Sequence, residues 1–454
     1  MEDRGKVVFC GIFAIAFFML LQPWWRPEGL WVYDYSRWVE VFFLFSVIFA
    51  SCFFKNVVPG FVCKNKTLFS IFIFSTFAAC VLGEVGFRGW VGGARILLWF
   101  FVIVVLISAF SLLDSRKLSF LSRSILIVSA VHILYFSVGG LALFYNGLIG
   151  ADYLIDGFSN KNHAVAFYVP LLLLLPALRS VSFFSTRLGA GLVFIMGVFL
   201  GAMILIIGSR GGILSFFSAL FLIAFLGKSD NIKIYFLWMA ACFLVSLCLF
   251  LGLLWLHDTG SAEGALLHHN YASDSKRFLL WQTAWLGFID SPWFGHGPLS
   301  YSLNSSLHVA HPHNFLFLIA YEYGVFLVLL VGAGTAIFYR MLWRERERLR
   351  EDIVSISGTA GVVAFMVHSL VGAGPFVPAA AMVFALSLAF LFSSLKEKVL
   401  GSDIGRADSS FGRFVTIGVF FTALSYVVLV FDYWRDLPTE GHLEPRFWQF
   451  GELL

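Results

Sequence analysis

Charge is scarce in this sequence. Asp, Glu, Lys and Arg make up 13% of its 454 residues, where a soluble domain carries roughly 25%. A chain that is also 59% hydrophobic cannot present a water-facing surface on all sides, which excludes an ordinary soluble domain. There is little surplus of one sign either. The formal net charge is +4, and no stripe of Lys and Arg with interleaved aromatics marks a nucleic-acid groove. Cysteine is sparse: Cys10, Cys52, Cys63, Cys80, Cys242 and Cys248 form no CxxC pair, and all but Cys63 lie in or beside apolar runs. That pattern argues against both a disulfide framework and a zinc site. No internal repeat at a fixed period and no low-complexity tract is visible.

What the sequence has is apolar runs. Thirteen are long enough to cross a hydrocarbon core of about 30 Å, near 7–22, 39–54, 68–82, 96–113, 124–145, 163–178, 189–207, 213–227, 235–256, 314–339, 354–371, 377–394 and 414–431. The chain is therefore expected to be an all-α polytopic membrane protein with about 12–13 transmembrane helices. The first run follows Arg4 and Lys6 and leads to Trp24 and Trp25 with no small-x-small cleavage site, so it reads as a retained span rather than a signal peptide. The 54 Phe, 14 Trp and 14 Tyr suit lipid-facing helices with interfacial aromatic belts.

Lys and Arg bias gives the orientation. With the N-terminus in the cytoplasm, twenty-one of the 31 basic residues fall in inside segments, and YRMLWRERERLRED (339–352) is the strongest anchor. The outside segments hold Arg26, Arg37, Arg88, Arg95, Lys161, Arg210, Lys276, Arg277, Arg435 and Arg446. The expected organisation is helices 1–9 over residues 1–256, one large periplasmic loop with amphipathic helices over 257–312, and the remaining helices and tail over 313–454.

Three polar outliers fall on the outward side. In GSRGGILSFF (208–217), Arg210 is expected in a turn of about five residues between two spans. Gly211 and Gly212 allow a tight bend and close backbone approach to a ligand. The helix that starts there points its dipole and free N–H groups outward. This is an anion site or, alternatively, an interfacial arginine reaching lipid phosphates. In SDSKRFLLWQTAWLGFIDSPWFGHGPLSY (273–301), Arg277, Phe278, Trp281 and Trp285 are spaced for an amphipathic helix lying on the membrane. Lys276 and Arg277 open it, as they would also open a plain surface helix near headgroups.

The third outlier is AHPHNFLFLIAYEYG (310–324). Pro312 suits a helix start, which puts His313 and Asn314 at the N-terminus of the tenth span. A neutral histidine there can accept a proton near pH 7, or it is an interfacial histidine without a role. His311 points elsewhere in an extended lead-in. Glu322 lies roughly 14 Å down the helix; an ionisable group at that depth is a functional candidate or a buried partner of a neighbouring arginine or of backbone groups. His132 and His368, also inside spans, are expected to be satisfied core histidines.

GSRGGIL (208–214), RFLLWQTAWLGFIDSPWFGHGP (277–298) and HPHNFLFLIAYEYGVF (311–326) resemble the O-antigen ligase/polymerase superfamily, whose members share a Wzy-type C-terminal region. FSNKNHAVAFYVPLLLLLP (158–176) is a weaker match. The resemblance implies a GT-C-like fold in the bacterial inner membrane, multi-pass, with the active site facing the periplasm. It implies transfer of a glycan from undecaprenyl diphosphate to an acceptor. The family's arginines fall on Arg210 and Arg277 and its HN histidine on His313. Gly211, Gly212, Asn314, His311, Trp281 and Glu322 are the candidate substrate-binding residues. A thirteenth span would depart from the family's usual twelve.

In that chemistry, charge builds on the bridging oxygen of a lipid diphosphate as the anomeric bond breaks. Two arginines can clamp it, His313 is the candidate base, and direct displacement inverts the anomeric centre. No cofactor is expected. Metal independence is expected because Asp152, Asp156, Glu263, Asp274 and Asp290 are scattered in the outer loops. The leading expectation is a ligase delivering glycan to lipid A–core, since the chain is compact with one dominant loop. The alternatives are a polymerase extending a growing O-antigen or exopolysaccharide acceptor, or protein O-glycosylation. A polysaccharide or lipid transporter would need midplane polar residues and inverted repeats, which the sequence does not offer. Expected partners are the lipid-linked glycan, its acceptor and membrane lipids.

Overall fold

The structure is a computed structural model that describes residues 2–21, 32–51, 66–84, 86–113, 115–145, 158, 161–181, 186–258, 277–304, 311–372, 374–395, 418–419 and 421–428. No strand occurs among them. The helices are α1 (Glu2–Leu21), α2 (Val32–Ser51), α3 (Lys66–Leu82), α4 (Phe87–Leu112), α5 (Ser115–Tyr145), α6 (Lys161–Val181), α7 (Arg187–Ile207), α8 (Arg210–Phe225), α9 (Asp230–Asp258), α10 (Arg277–Asp290), α11 (Ser300–Asn304), α12 (Phe315–Arg344), α13 (Arg346–Leu349), α14 (Ile353–Ser369) and α15 (Pro378–Ser394). The first twelve apolar runs coincide with α1–α9, α12, α14 and α15. Among the described residues six helices are long and apolar enough to cross a membrane on those grounds alone, so the chain is a polytopic helical membrane protein. Of the thirteenth run only 418–419 and 421–428 are described, and they are helical. Most of the 146–162 loop lies outside the described residues, as do 259–276, including Lys276, and 305–310 of the expected periplasmic loop, whose described part carries α10 and α11.

α14 is the central helix, packed against α6, α8 and α15. Its small residues make this possible. A Cβ on Gly358 would come within 2.7 Å of the Leu391 backbone N and 2.8 Å of the Ser387 carbonyl, so α14 and α15 touch backbone to backbone. Small residues serve membrane helices this way because close approach, rather than the hydrophobic effect, provides the attraction. α9 packs on α7, α1 on α2 and α5, and α12 on α3 and α10. α8 and α14 are short, at 16 and 17 residues.

Two helices start earlier than their hydropathy suggests. α2 begins at Val32 and α4 at Phe87, so Arg37 and Arg95 sit inside helices rather than in outside loops. Both are buried and both pair with Glu40, Arg37 Nη1 at 2.6 Å and Arg95 Nε at 2.8 Å. The Trp99 indole N–H also donates to Glu40. Mutual neutralisation lets these charges enter the bundle, whereas a hydropathy scan cuts the helix short at each one.

The end of the bundle opposite the site is basic. Arg350 and Glu351 there receive hydrogen bonds from Ser229 Oγ–H and Asn231 Nδ2–H through their carbonyls. The strongest positively charged segment therefore lies at the far end from Arg210 and His313.

Candidate active site

α7 ends at Gly208, whose φ of 65° forms a left-handed cap and whose N–H bonds Ile204 and Leu205 carbonyls. Ser209 immediately caps α8, its side chain accepting the Gly212 N–H. The turn is thus two residues long instead of five, and Arg210 is the exposed first residue of α8. Gly211 and Gly212 are helical and buried. A Cβ on Gly212 would come within 2.1 Å of Val165 Cγ1, and one on Gly211 within 3.0 Å of Val371 Cγ2. Their smallness lets α8 dock against α6 and the end of α14. Ser209 Oγ–H also donates to Asn162 Oδ1 at 3.0 Å. This brings the weakly matching 158–176 stretch to the site and places His163 beside it.

α10 exposes Phe278, Trp285, Leu286 and Ile289 while burying Leu280 and Ala284, as an interfacial helix should. It is fixed to the 311–314 turn by Trp281. The Trp281 indole N–H donates to the Pro312 carbonyl at 3.0 Å, and its ring stacks on Phe317 at 5.8 Å. Trp281 therefore supports the turn that carries the histidines.

Asn314 caps α12, accepting the Leu316 and Phe317 N–H groups. His313 precedes it with φ 54°, a left-handed conformation unusual for a residue with a side chain. The His313 N–H donates to His311 Nδ1 at 3.2 Å, and the two rings meet edge to face at 4.5 Å. His311 is 6.4 Å from His163, ring centre to ring centre.

Electrostatics join these residues. Burial, and next the Arg277 charge, push His313 down to about 4. Burial, then His313, His163 and Arg37, push His311 well below the usual histidine range. Burial, then Arg210, lower Arg277. Both histidines are thus neutral near pH 7, and the two sequence-predicted arginines feel each other. Arg277 also acts on His368. Among the described residues no three His, Cys, Asp or Glu side chains gather to hold a metal ion.

Glu322 is 5% exposed, and its carboxylate accepts the backbone N–H groups of Leu299 and Tyr301. It fastens the 291–302 turn onto α12. That turn also bonds through the His296 N–H to the Tyr321 carbonyl (2.9 Å), the Gly297 N–H to the Glu322 carbonyl (3.0 Å) and the Val325 N–H to the Pro292 carbonyl (2.8 Å). α12 breaks at Gly324, φ 72°, where a Cβ would meet the Trp293 carbonyl at 2.3 Å. The structure brings Glu322 to backbone partners and not to an arginine.

His132 is satisfied as expected: Nδ1 meets the Leu21 carbonyl at 2.7 Å and Nε2 the Tyr168 hydroxyl at 3.2 Å. His368 is not. Its Nδ1 is buried without a hydrogen-bond partner, and it lies beside Gly211. His163, Asn162 and His368 were not among the sequence candidates. Asn162 and His163 had a signal in the weak 158–176 match; His368 had none beyond being polar in an apolar helix.

An apolar cavity of about 80 Å³ starts one turn below Arg210, lined by Ile213, Phe216 and Phe217 of α8, Gly197, Gly201 and Ile204 of α7, and Met239 and Cys242 of α9.

Residues 195–332 match the family model described as O-antigen ligase. That stretch runs from the middle of α7 through the Arg210 turn, α10 and the His313 turn into α12. No curated protein matches the chain. The matched stretch, in a helical membrane setting, supports the O-antigen ligase/polymerase superfamily, whose members are glycosyltransferase-like enzymes, as the family this chain resembles.

Proposed function

We propose that the protein is an O-antigen ligase-type glycosyltransferase. It moves a glycan from undecaprenyl diphosphate to lipid A–core on the periplasmic face of the bacterial inner membrane. The observation that carries the reading is the convergence of Arg210, Arg277 and neutral His313 at one end of the bundle, with Arg277 in electrostatic reach of both others.

The diphosphate lies between the two guanidinium groups, against the N-terminus of α8. As the anomeric C–O bond breaks, the electron pair passes to the bridging oxygen and the arginines take up that charge. Fixed charges aimed at a developing anion in a water-poor site lower the barrier by several kcal/mol. The acceptor hydroxyl attacks from the opposite face, so the anomeric centre inverts, and its proton passes to His313. A diphosphate leaves without a separate acid, and the arginines supply the charge that a metal would. The isoprenoid chain runs along the exposed side of α8, past Ile213, Phe217 and Phe221, beside the apolar cavity. His311 and Asn314 hold the His313 turn, Trp281 supports it, and Glu322 holds the 291–302 turn behind it.

The test is the lipopolysaccharide profile of cells lacking the protein, beside cells carrying His313→Ala. The reading expects long chains to vanish from lipid A while finished polymer accumulates on its lipid carrier. Lipid A bearing a single repeat unit would instead identify a polymerase. A profile unchanged in both strains would refute lipid A–core as the acceptor.

A further inference from the structure

His368 sits on the last turn of α14, outside the matched 195–332 segment, and is 1% exposed. Its imidazole is held between two glycines from different segments. A Cβ on Gly211, in the first turn of α8, would lie 3.8 Å from its Cδ2 and Nε2; one on Gly372 would lie 2.5 Å from Cε1 and 2.9 Å from Nδ1. One edge of the ring, with Nε2, therefore faces the residue next to Arg210, and the other is closed off by Gly372.

Nδ1, on the Gly372 side, is buried without a hydrogen-bond partner, and no hydrogen bond holds Nε2, on the Gly211 side, among the described residues. Buried polar groups are nearly always satisfied, as His132 is at both nitrogens. A core position with no other task would favour an apolar residue, since filling it with imidazole leaves a polar atom unpaired. The charge of Arg277 reaches His368 as it reaches His313, and His368 in turn acts on His163. The Nε2 edge of the imidazole thus faces the helix N-terminus that carries Arg210, within electrostatic reach of Arg277.

We propose that His368 is a third ligand of the diphosphate leaving group, donating Nε2–H to a phosphate oxygen from beneath the arginine pair. The proposal rests on the diphosphate reading of the site. It gives that site a floor contributed by a helix outside the region by which the family is matched. No proton is lost in this role: the neutral ring donates one hydrogen bond, and its strength grows as negative charge collects on the departing diphosphate.

The experiment uses the full-length protein in nanodiscs, with undecaprenyl diphosphate as probe and undecaprenol as its uncharged control. His368→Phe keeps an aromatic ring without a donor; His368→Gln places an amide N–H near the Nε2 position. The expected result is a loss of roughly tenfold or more in undecaprenyl diphosphate affinity for the Phe variant, unchanged undecaprenol binding, and recovery to within about threefold for Gln. If the Phe variant fails to insert, His368→Leu replaces it in the same comparison. Unchanged diphosphate affinity, or an equal loss for diphosphate and undecaprenol, overturns the assignment. Arg210→Ala and Arg277→Ala separate the two levels. If they lose diphosphate binding while His368→Phe keeps it, only the His368 inference falls. If they too bind like the unaltered protein, the diphosphate reading falls with it.

Discussion

The acid limb of the pH profile gives the sharpest test of His313 as base. In the free protein its pKa is near 4, held down by burial first and by Arg277 second. At pH 7 only roughly one molecule in a thousand carries the proton on His313, so kcat/KM, which reports free enzyme, should be flat from pH 8 to about pH 5. It should fall tenfold per unit only below about pH 4. Bound diphosphate places negative charge beside Arg277 and cancels the second cause, so the limb in kcat, which reports the complex, should lie at higher pH than the limb in kcat/KM. The sign for a variant follows. Arg277→Gln removes a positive neighbour, favours the protonated ring and moves the free-enzyme limb upward. Transfer from a defined undecaprenyl-diphosphate glycan in detergent, measured over pH 4–9, gives both profiles. A free-enzyme limb at or above the ordinary histidine value of about 6.5, or one that does not move in Arg277→Gln, would refute the assignment.

Arg210→Lys should cost about two orders of magnitude in kcat with intact protein levels, because a point charge cannot reproduce the guanidinium fork; near-normal turnover would make Arg210 a lipid-facing interfacial residue. Glu322→Ala leaves the Leu299 and Tyr301 N–H groups unpaired at a cost of about 2–5 kcal/mol, so its melting temperature in detergent should fall clearly, whereas Glu322→Gln keeps one carbonyl oxygen and should lose less. Gly324→Ala sets a Cβ at 2.3 Å from the Trp293 carbonyl on a backbone with φ 72°, and should abolish accumulation of the protein in membranes, which an immunoblot reads directly. Asn314→Ala removes the acceptor for two α12 N–H groups, about 1 kcal/mol of helix stability, and should lower kcat through a loosened His313 turn while leaving donor affinity nearly unchanged.

Most of the fold was legible because apolar runs and basic loops report directly on the solvent each segment meets. What misled the reading was charge neutralised by tertiary partners. Arg37 and Arg95 look like loop residues until Glu40 joins them, and no local window contains all three. The arginines and His313 stood out because each is polar at a helix start in a chain with few such positions. Gly211 and Gly212 suggested a pliable backbone, yet what they supply is room for Val165 and Val371, a fact held by other helices. Glu322 was ambiguous because a carboxylate in an apolar helix looks the same whether it meets a ligand or two peptide N–H groups. His368 reads from the sequence as a satisfied core histidine like His132, because the Gly211 it lies against and the Arg277 whose charge reaches it are remote in the chain.

The brevity of α8 and α14 bears on how the enzyme and its bilayer fit together. At 1.5 Å per residue, their 16 and 17 residues rise only about 25 Å, against a hydrocarbon core of about 30 Å. In the proposed orientation, with the basic 345–352 segment at the opposite interface, the α8 N-terminus and His368 would lie several ångströms below the outer hydrocarbon boundary unless the bilayer thins around them. Such mismatch costs a fraction of a kcal/mol per ångström, enough to make a thin annulus of lipid the preferred setting. On the proposed function, the carrier's diphosphate would then descend to meet the arginines rather than rise to them, and hydrophilic sugar would follow into the dip. Turnover should accordingly depend on acyl-chain length, faster in thin bilayers than in thick ones at equal donor density.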